Sequence, residues 1–142
     1  MTWNLGGMRL DNVLAYFEAV ANQREHPLST VHVFLLQDLT TREPTPPGGE
    51  ATLNTRENSA WRLTYHRDSN DWRGVGVLIR KGDAVVWGPQ VRGSSFLLQE
   101  VTWGGFRWSL MSAHLPCTSR LLAAGDILDA WETALRPREG VR

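Results

Sequence analysis

The sequence predicts an α/β sandwich built in layers, with mixed and mostly antiparallel β-sheets. The first observation behind this is an opening of strand, helix and strand, with a short apolar stretch at 2–5, helical periodicity over 10–24 and an apolar run at 31–36. The second is a series of strand-like segments joined by turns, and the third is a final stretch of helical periodicity over 118–136. Helices that accompany a set of strands in this way pack as layers against the sheets.

The first half of the chain begins with a short strand and continues with a helix. The glycine pair at 6–7 is a turn signal that ends the strand. Apolar residues then recur at the spacing of one helix face over 10–24, and Asp11-Asn12 offer capping groups. The helix is expected to end near Pro27, because proline disfavours a helical conformation in the residue before it. The apolar run at 31–36 fits a strand that is buried on both faces.

The second half of the chain favours antiparallel strands. A polar segment over 40–59, with several prolines and glycines, is predicted to be a long surface loop. Gly104-Gly105 form the turn of the clearest hairpin, since two glycines accept the positive φ angles that such a turn requires. Beyond it, an apolar stripe predicts a helix that begins near Thr118 and ends before Pro137. The strands predicted in this half are 61–66, 74–80, 84–87, 95–103 and 106–112.

Length and composition fit one globular domain over residues 1–142. Apolar residues make up 42% of the sequence, which is enough to bury a core. The net charge is zero, and fourteen of the fifteen basic residues are arginine. This balance argues against broad, non-specific coating of nucleic acid, but it is compatible with charge focused in one cleft.

Cysteine usage and hydropathy indicate the environment of the protein. Cys117 is the single cysteine, so a disulfide within the chain is excluded and a reducing compartment fits best. No apolar run reaches the roughly 18 residues of a membrane span, and the N-terminus has no signal-peptide pattern. We therefore expect a soluble intracellular protein, in the nucleus or the cytoplasm, with no membrane partner.

Four short segments occur in a characteristic order along the chain. They are Trp-Asn at 3–4, Leu-Leu-Gln-Asp at 35–38, Gly-Val-Gly-Val at 74–77 and Ser-Ala-His at 112–114. In this order they resemble the N-terminal portion of the endonuclease/exonuclease/phosphatase family, the group that includes deoxyribonuclease I and exonuclease III. The resemblance implies a partial four-layer α/β sandwich and a metal-dependent phosphodiester hydrolase. It also implies nucleic acid, DNA or RNA, as the partner.

The resemblance assigns a role to four residues. Asp38 stands where the family carries its main metal ligand, with Mg²⁺ or Mn²⁺ as the expected cofactor, and Gln37 would support that ligand. Asn4 would lie beside metal and phosphate, with a part in both metal binding and catalysis, and His114 would contact the scissile phosphate or assist the leaving group. The chemistry is suitable, because Mg²⁺ prefers carboxylate oxygens and histidine titrates near neutrality.

The residues taken alone leave simpler interpretations open. Asn4 precedes two glycines and could serve only to form a turn. Asp38 fits a solvated acid at a strand end, and His114 fits a packed residue that closes a strand.

The chain departs from the family pattern in two respects. The family usually carries Glu where this chain has Asp38, and the shorter side chain reaches about 1.5 Å less far. A misplacement of about 1 Å costs on the order of 100-fold in rate. The later family motifs, Gly-Asp-Phe-Asn-like and Ser-Asp-His-like, do not occur before Arg142. The domain is therefore predicted to be truncated, with its C-terminal half missing or supplied by a partner chain.

Several functional hypotheses follow from these observations. The first is Mg²⁺-dependent hydrolysis of phosphodiester bonds in DNA or RNA, as in a retroelement-type endonuclease. The alternative within this fold is a catalytically inactive fragment or binding remnant, or a phosphoesterase that acts on phosphoinositides. An unrelated tryptophan-rich binding domain would keep Asn4, Asp38 and His114 apart in space.

Overall fold

The computed structural model describes residues 1–41, 60–67, 73–81, 85–93, 95–114, 129, 132 and 133. Within these ranges the chain forms one α-helix, one short 3₁₀ helix and seven strands. In chain order they are β1 (Thr2–Asn4), α1 (Leu10–Ala21), the 3₁₀ helix (Pro27–Thr30), β2 (Val33–Leu39), β3 (Trp61–His66), β4 (Gly74–Arg80), β5 (Val86–Gly93), β6 (Phe96–Trp103) and β7 (Phe106–Ala113).

The strands form two sheets, which we call the first and the second sheet. The first sheet has the order β1-β2-β4-β3, with β1 parallel to β2 and the other pairs antiparallel. The second sheet has the order β5-β6-β7 and is antiparallel throughout. The predicted mixed and mostly antiparallel α/β sandwich is confirmed.

The first sheet is the middle layer of the described residues. Helix α1 covers one of its faces, where Phe17 packs against Phe34 and the indole N–H of Trp61 donates to the Phe17 carbonyl at 3.0 Å. The opposite face packs on the second sheet, where Val77 and Leu97 belong to one buried cluster. Because both faces of the first sheet are covered, the sequences of β2 and β4 are nearly continuous apolar runs.

Several predicted boundaries shift in the structure. Helix α1 ends at Ala21 rather than near 24, and its N-cap is Arg9, which makes no side-chain capping bond. Asp11 and Asn12 therefore lie inside the first turn. There the Asp11 carboxylate still stabilises the helix through a favourable interaction with the helix dipole. Strand β2 continues to Leu39 instead of ending at 36, because its polar end pairs with both β1 and β4.

The hairpin was predicted within one residue at each end, and Gly104 and Gly105 have φ angles of 61° and 80°. Of the predicted final helix, Asp129, Glu132 and Thr133 are helical, and the rest lies outside the described residues, as does 42–59 of the predicted loop. In the part of the chain that the structure describes, no helix has the length and apolar character needed to cross a membrane.

Candidate functional site

Three of the four predicted site residues meet at one end of the first sheet. Strands β1 and β2 are parallel, and Asn4 pairs in register with Gln37. Asp38 follows Gln37, and the backbone N–H of Leu5 donates to the Gln37 carbonyl at 2.8 Å. The carboxyl ends of adjacent strands are where loops leave an α/β sheet and where ligands bind.

A β-bulge turns Asp38 away from the sheet. Leu36 pairs with Gly76 and Leu39 pairs with Gly74. Between these two pairs, β2 contains one residue more than β4 does. Asp38 has a φ of 59°, a left-handed conformation that Asp tolerates better than most residues. In a regular strand, residues three apart face opposite sides. The bulge lets both Leu36 and Leu39 face the helix-side core, and it leaves the Asp38 carboxylate at the strand end.

The carboxylate of Asp38 forms an ion pair with Arg73. The Arg73 Nε lies 3.4 Å from Asp38 Oδ1, and 24% of the Asp38 side chain is exposed. The Arg73 Nη1 donates to the hydroxyl of Thr40, and that hydroxyl donates to the Gly7 carbonyl at 2.9 Å. The Gly7 N–H in turn donates to the Asp38 carbonyl at 2.8 Å. Arg73 is therefore held by the same short segments that position Asp38.

Because Gly7 has no side chain, the space beside it is free for the Arg73 guanidinium. Its φ is 88°, and a Cβ at this position would stand 2.7 Å from the Arg73 Cζ. A side chain at residue 7 would therefore be strained in its backbone and would collide with the guanidinium. The turn that follows β1 thus shapes the surroundings of Asp38.

Gln37 links three strands. Its Oε1 accepts from the Thr2 hydroxyl at 3.0 Å, and its Nε2 donates to the Leu35 carbonyl at 3.1 Å and to the Ser112 hydroxyl at 3.3 Å. Ser112 is fully buried on β7 and donates to the Leu36 carbonyl at 2.6 Å. These bonds fasten the end of the second sheet to the end of β2. The predicted support of a metal ligand by Gln37 stays a prediction.

His114 directly follows β7 and lies two residues beyond Ser112. Its backbone N–H donates to the carbonyl of Ser95 at 2.9 Å, so the chain is fixed where it leaves the strand. Two strand residues span about 7 Å, so the His114 backbone lies within about 7 Å of Ser112, which contacts Gln37. Its predicted role toward a phosphate stays a prediction.

Asn4 forms the turn that its sequence context predicts. Its Oδ1 accepts from the Gly6 N–H at 2.9 Å, and Gly6 and Gly7 both have positive φ angles. This oxygen is thus already engaged by the backbone. Asn4 pairs in register with Gln37, the neighbour of Asp38, whereas the unrelated binding domain would keep Asn4, Asp38 and His114 all apart. The clustering of all three residues stays a prediction.

Two guanidinium groups flank the segment that continues from Asp38. Arg73 contacts Thr40, and the Arg67 Nε donates to the hydroxyl of Thr41 at 2.9 Å. Arginine presents a planar set of donors that matches phosphate oxygens. Two arginines therefore lie beside the candidate site, and one of them is paired with Asp38.

The oxygen atoms at this end offer a sparse ligand set for a divalent cation. Asp38 supplies one carboxylate, and Mg²⁺ commonly takes one or two protein carboxylates together with water and substrate phosphate. Across the described ranges, no group of three or more His, Cys, Asp or Glu could hold a metal ion. Within the described ranges these residues therefore do not form a closed cage of protein ligands, and the expected Mg²⁺ or Mn²⁺ stays a prediction.

Sequence reasoning missed the partners that position these residues. Arg73, Ser112 and Thr40 are not among the predicted site residues. The local signals were a glycine pair after β1 and an arginine directly before the glycine-rich β4.

Comparison with known proteins supports the fold. No protein-family model and no curated protein matches the sequence. Among solved structures, the chain is similar to humanized D. rerio TDP2 carrying 14 mutations, with a TM-score of 0.59 and 18% sequence identity. The match covers 96% of this chain and 56% of that one, so the chain spans little more than half the length of this neighbour.

Proposed function

We propose that this chain belongs to a lineage of divalent-cation-dependent phosphodiester hydrolases and acts on nucleic acid. The observation that carries the proposal is the meeting of Asn4, Gln37 and Asp38 at the carboxyl ends of two parallel strands. The bond from Gln37 to Ser112 brings the end of β7, and with it the backbone of His114, to the same region.

The structural neighbour supports this lineage. TDP2 is tyrosyl-DNA phosphodiesterase 2, a member of the endonuclease/exonuclease/phosphatase superfamily. The four segments that suggested this superfamily lie on β1, on β2, on β4 and at the end of β7. Because the identity is 18%, the likeness supports the fold, and the activity rests on the site.

In this proposal Asp38 and Asn4 hold Mg²⁺ or Mn²⁺ through oxygen atoms. The ion would polarise a phosphoryl oxygen and offset the charge that develops there. The Asp38 side chain stands at the register shift of β2, and its backbone has a positive φ of 59°. His114 would hydrogen-bond the phosphate or deliver a proton to the leaving oxygen, because an imidazole can act as a general acid.

The basic groups near Asp38 favour a polyanionic substrate. Arg73 and Arg67 lie on the segments that enter β4 and leave β3, and these strands are neighbours in the first sheet. Phosphate contacts from arginine orient a nucleic acid without selecting its sequence. DNA and RNA both meet this requirement.

A binding remnant without catalytic activity is the second candidate. The observation that favours it is the ion pair at Asp38, which balances the only carboxylate that the site offers among the described residues. A chain that spans 56% of the structural neighbour is consistent with this candidate as well.

The experiment that separates the two candidates is cleavage of supercoiled DNA, and of a labelled RNA, by the 142-residue chain with Mg²⁺ or Mn²⁺. Hydrolysis is expected to require the cation and to be lost in Asp38→Asn and in His114→Ala. Glu100→Gln is the matched control, since it converts a carboxylate to an amide in another ion pair, and it should keep full activity. Absence of hydrolysis in the unmodified chain, or cleavage that survives Asp38→Asn, would contradict the enzymatic proposal.

A further inference from the structure

Arg73 is held at Asp38 by more than the ion pair. The Nε faces Asp38 Oδ1 at 3.4 Å, and Nη1 donates to the Thr40 hydroxyl. The guanidinium also occupies space beside Gly7 that any side chain there would fill. Two further backbone-linked hydrogen bonds, from Thr40 to Gly7 and from Gly7 to Asp38, connect these partners into one ring of contacts.

Another ion pair among the described residues, between Arg107 and Glu100, has fewer supporting contacts. Arg107 and Glu100 lie on neighbouring strands of the second sheet, with an Nη2 to Oε2 distance of 3.5 Å. Their side chains are 69% and 36% exposed, against 44% and 24% for Arg73 and Asp38. The comparison shows that Arg73 is the more enclosed and the more firmly positioned of the two arginines.

We propose that Arg73 is a built-in counter-ion for Asp38 and competes with a divalent cation for that carboxylate. The inference rests on the proposed function, since it concerns the carboxylate to which that function assigns the metal. Toward the cation Arg73 is a positioning residue, because it would act on a bound ion through Asp38, whatever contacts it makes with a substrate phosphate.

The competition follows from charge and from the small number of ligands. A guanidinium and a hydrated divalent cation both bind the same carboxylate oxygens. Because both are positively charged, they repel each other when they are close to the same carboxylate. Mg²⁺ and Mn²⁺ bind a carboxylate more strongly when no other positive charge is paired with it. Among the described residues, this site offers a single carboxylate, that of Asp38, and it is paired with Arg73. A cation therefore binds Asp38 only when Arg73 gives up part of its contact.

The test is a titration of the 142-residue chain with Mn²⁺, in which electron paramagnetic resonance reports the free ion. Arg73→Gln is expected to bind Mn²⁺ about fivefold more tightly than the unmodified chain, the upper range for a partly exposed ion pair. Arg107→Gln is the matched control, because it removes the same charge beside a carboxylate, and its affinity should stay within about twofold. Asp38→Asn, alone or with Arg73→Gln, should abolish the site.

The outcomes separate this inference from the proposed function. Equal Mn²⁺ affinity in Arg73→Gln and the unmodified chain, with binding still lost in Asp38→Asn, overturns the role of Arg73 and leaves the metal proposal standing. Absence of Mn²⁺ binding in every variant overturns both. Tighter binding by the same factor in Arg107→Gln would also overturn the inference, since it would show a general effect of net charge.

A second variant leaves Arg73 in place and keeps the test valid if Arg73→Gln does not fold. Thr40→Val removes the hydroxyl that holds the Arg73 Nη1 and should loosen the guanidinium from Asp38. The expected result is tighter Mn²⁺ binding than in the Arg107→Gln control, with an unchanged far-ultraviolet circular dichroism spectrum. Unchanged or weaker binding in a folded Thr40→Val chain contradicts the inference.

Discussion

The amide of Gln37 donates to the hydroxyl of Ser112 at 3.3 Å, and Ser112 donates onward to the Leu36 carbonyl at 2.6 Å. Through these two bonds, the strand that contains Asp38 is linked to the strand that ends directly before His114. The position of the candidate site thus depends on a contact between the two sheets. A substitution that changes the packing at this contact should therefore alter the geometry of the site.

Replacing Ser112 by alanine should lower the free energy of unfolding by about 1–3 kcal/mol, because the Leu36 carbonyl and the Gln37 amide lose a buried partner. Urea unfolding measures the change. Ser109→Ala on the exposed part of the same strand is the control, with an expected change within about 0.5 kcal/mol. Equal effects of the two substitutions would show that the buried bonds contribute little.

Replacing Gly7 by alanine should increase the affinity for Mn²⁺, because the new Cβ displaces the Arg73 guanidinium from its place beside Asp38. Gly6→Ala is the matched control: its φ is also positive, at 60°, but a Cβ there meets nothing within 4 Å. Both variants should lose about 1–2 kcal/mol of stability from backbone strain. Only Gly7→Ala should change the Mn²⁺ titration, and a similar shift in Gly6→Ala would point to strain rather than to Arg73.

Replacing Asp38 by glutamate should strengthen Mn²⁺ binding and weaken the fold. The longer side chain extends the carboxylate by about 1.5 Å beyond its present contact with Arg73. Glutamate tolerates the φ of 59° less well than aspartate does, so the stability should fall by about 1 kcal/mol. Urea unfolding and Mn²⁺ titration of the same preparation test both effects. Weaker Mn²⁺ binding would show that the bulge positions the shorter side chain better.

Replacing Phe106 by threonine should reduce self-association of the chain. Strand β7 is at one edge of the second sheet, and Phe106 and Trp108 on it are 69% and 49% exposed. Exposed apolar side chains on an edge strand favour association between copies. Sedimentation velocity at increasing concentration measures this, with Arg107→Thr on the same strand as the control. Unchanged association in Phe106→Thr would rule out this edge as its cause.

The parts of the structure that the sequence predicts well are those with local causes. The Gly104-Gly105 turn is predicted because glycine alone accepts two consecutive positive φ angles readily. Strand β2 is predicted because its apolar residues form a continuous run.

The bulge at Asp38 and its contact with Arg73 have tertiary causes. The bulge exists because Leu36 and Leu39 must both reach the core beneath α1, and this requirement depends on packing. Arg73 reaches Asp38 from a segment 35 positions away in the chain, and nothing in the spacing of these residues predicts the pair. The buried Ser112 is similar, since its partners lie on another sheet.

The most direct test of the account is to measure which backbone amide signals of a ¹⁵N-labelled chain Mn²⁺ broadens at substoichiometric concentration. If Asn4, Asp38 and the end of β7 form one cation site, the signals of Gly7, Asp38 and His114 should broaden together. Those of Gly104 and Gly105, in the hairpin at the other end of β7, should stay sharp. Broadening that spares His114, or that centres on the hairpin, would contradict the central claim.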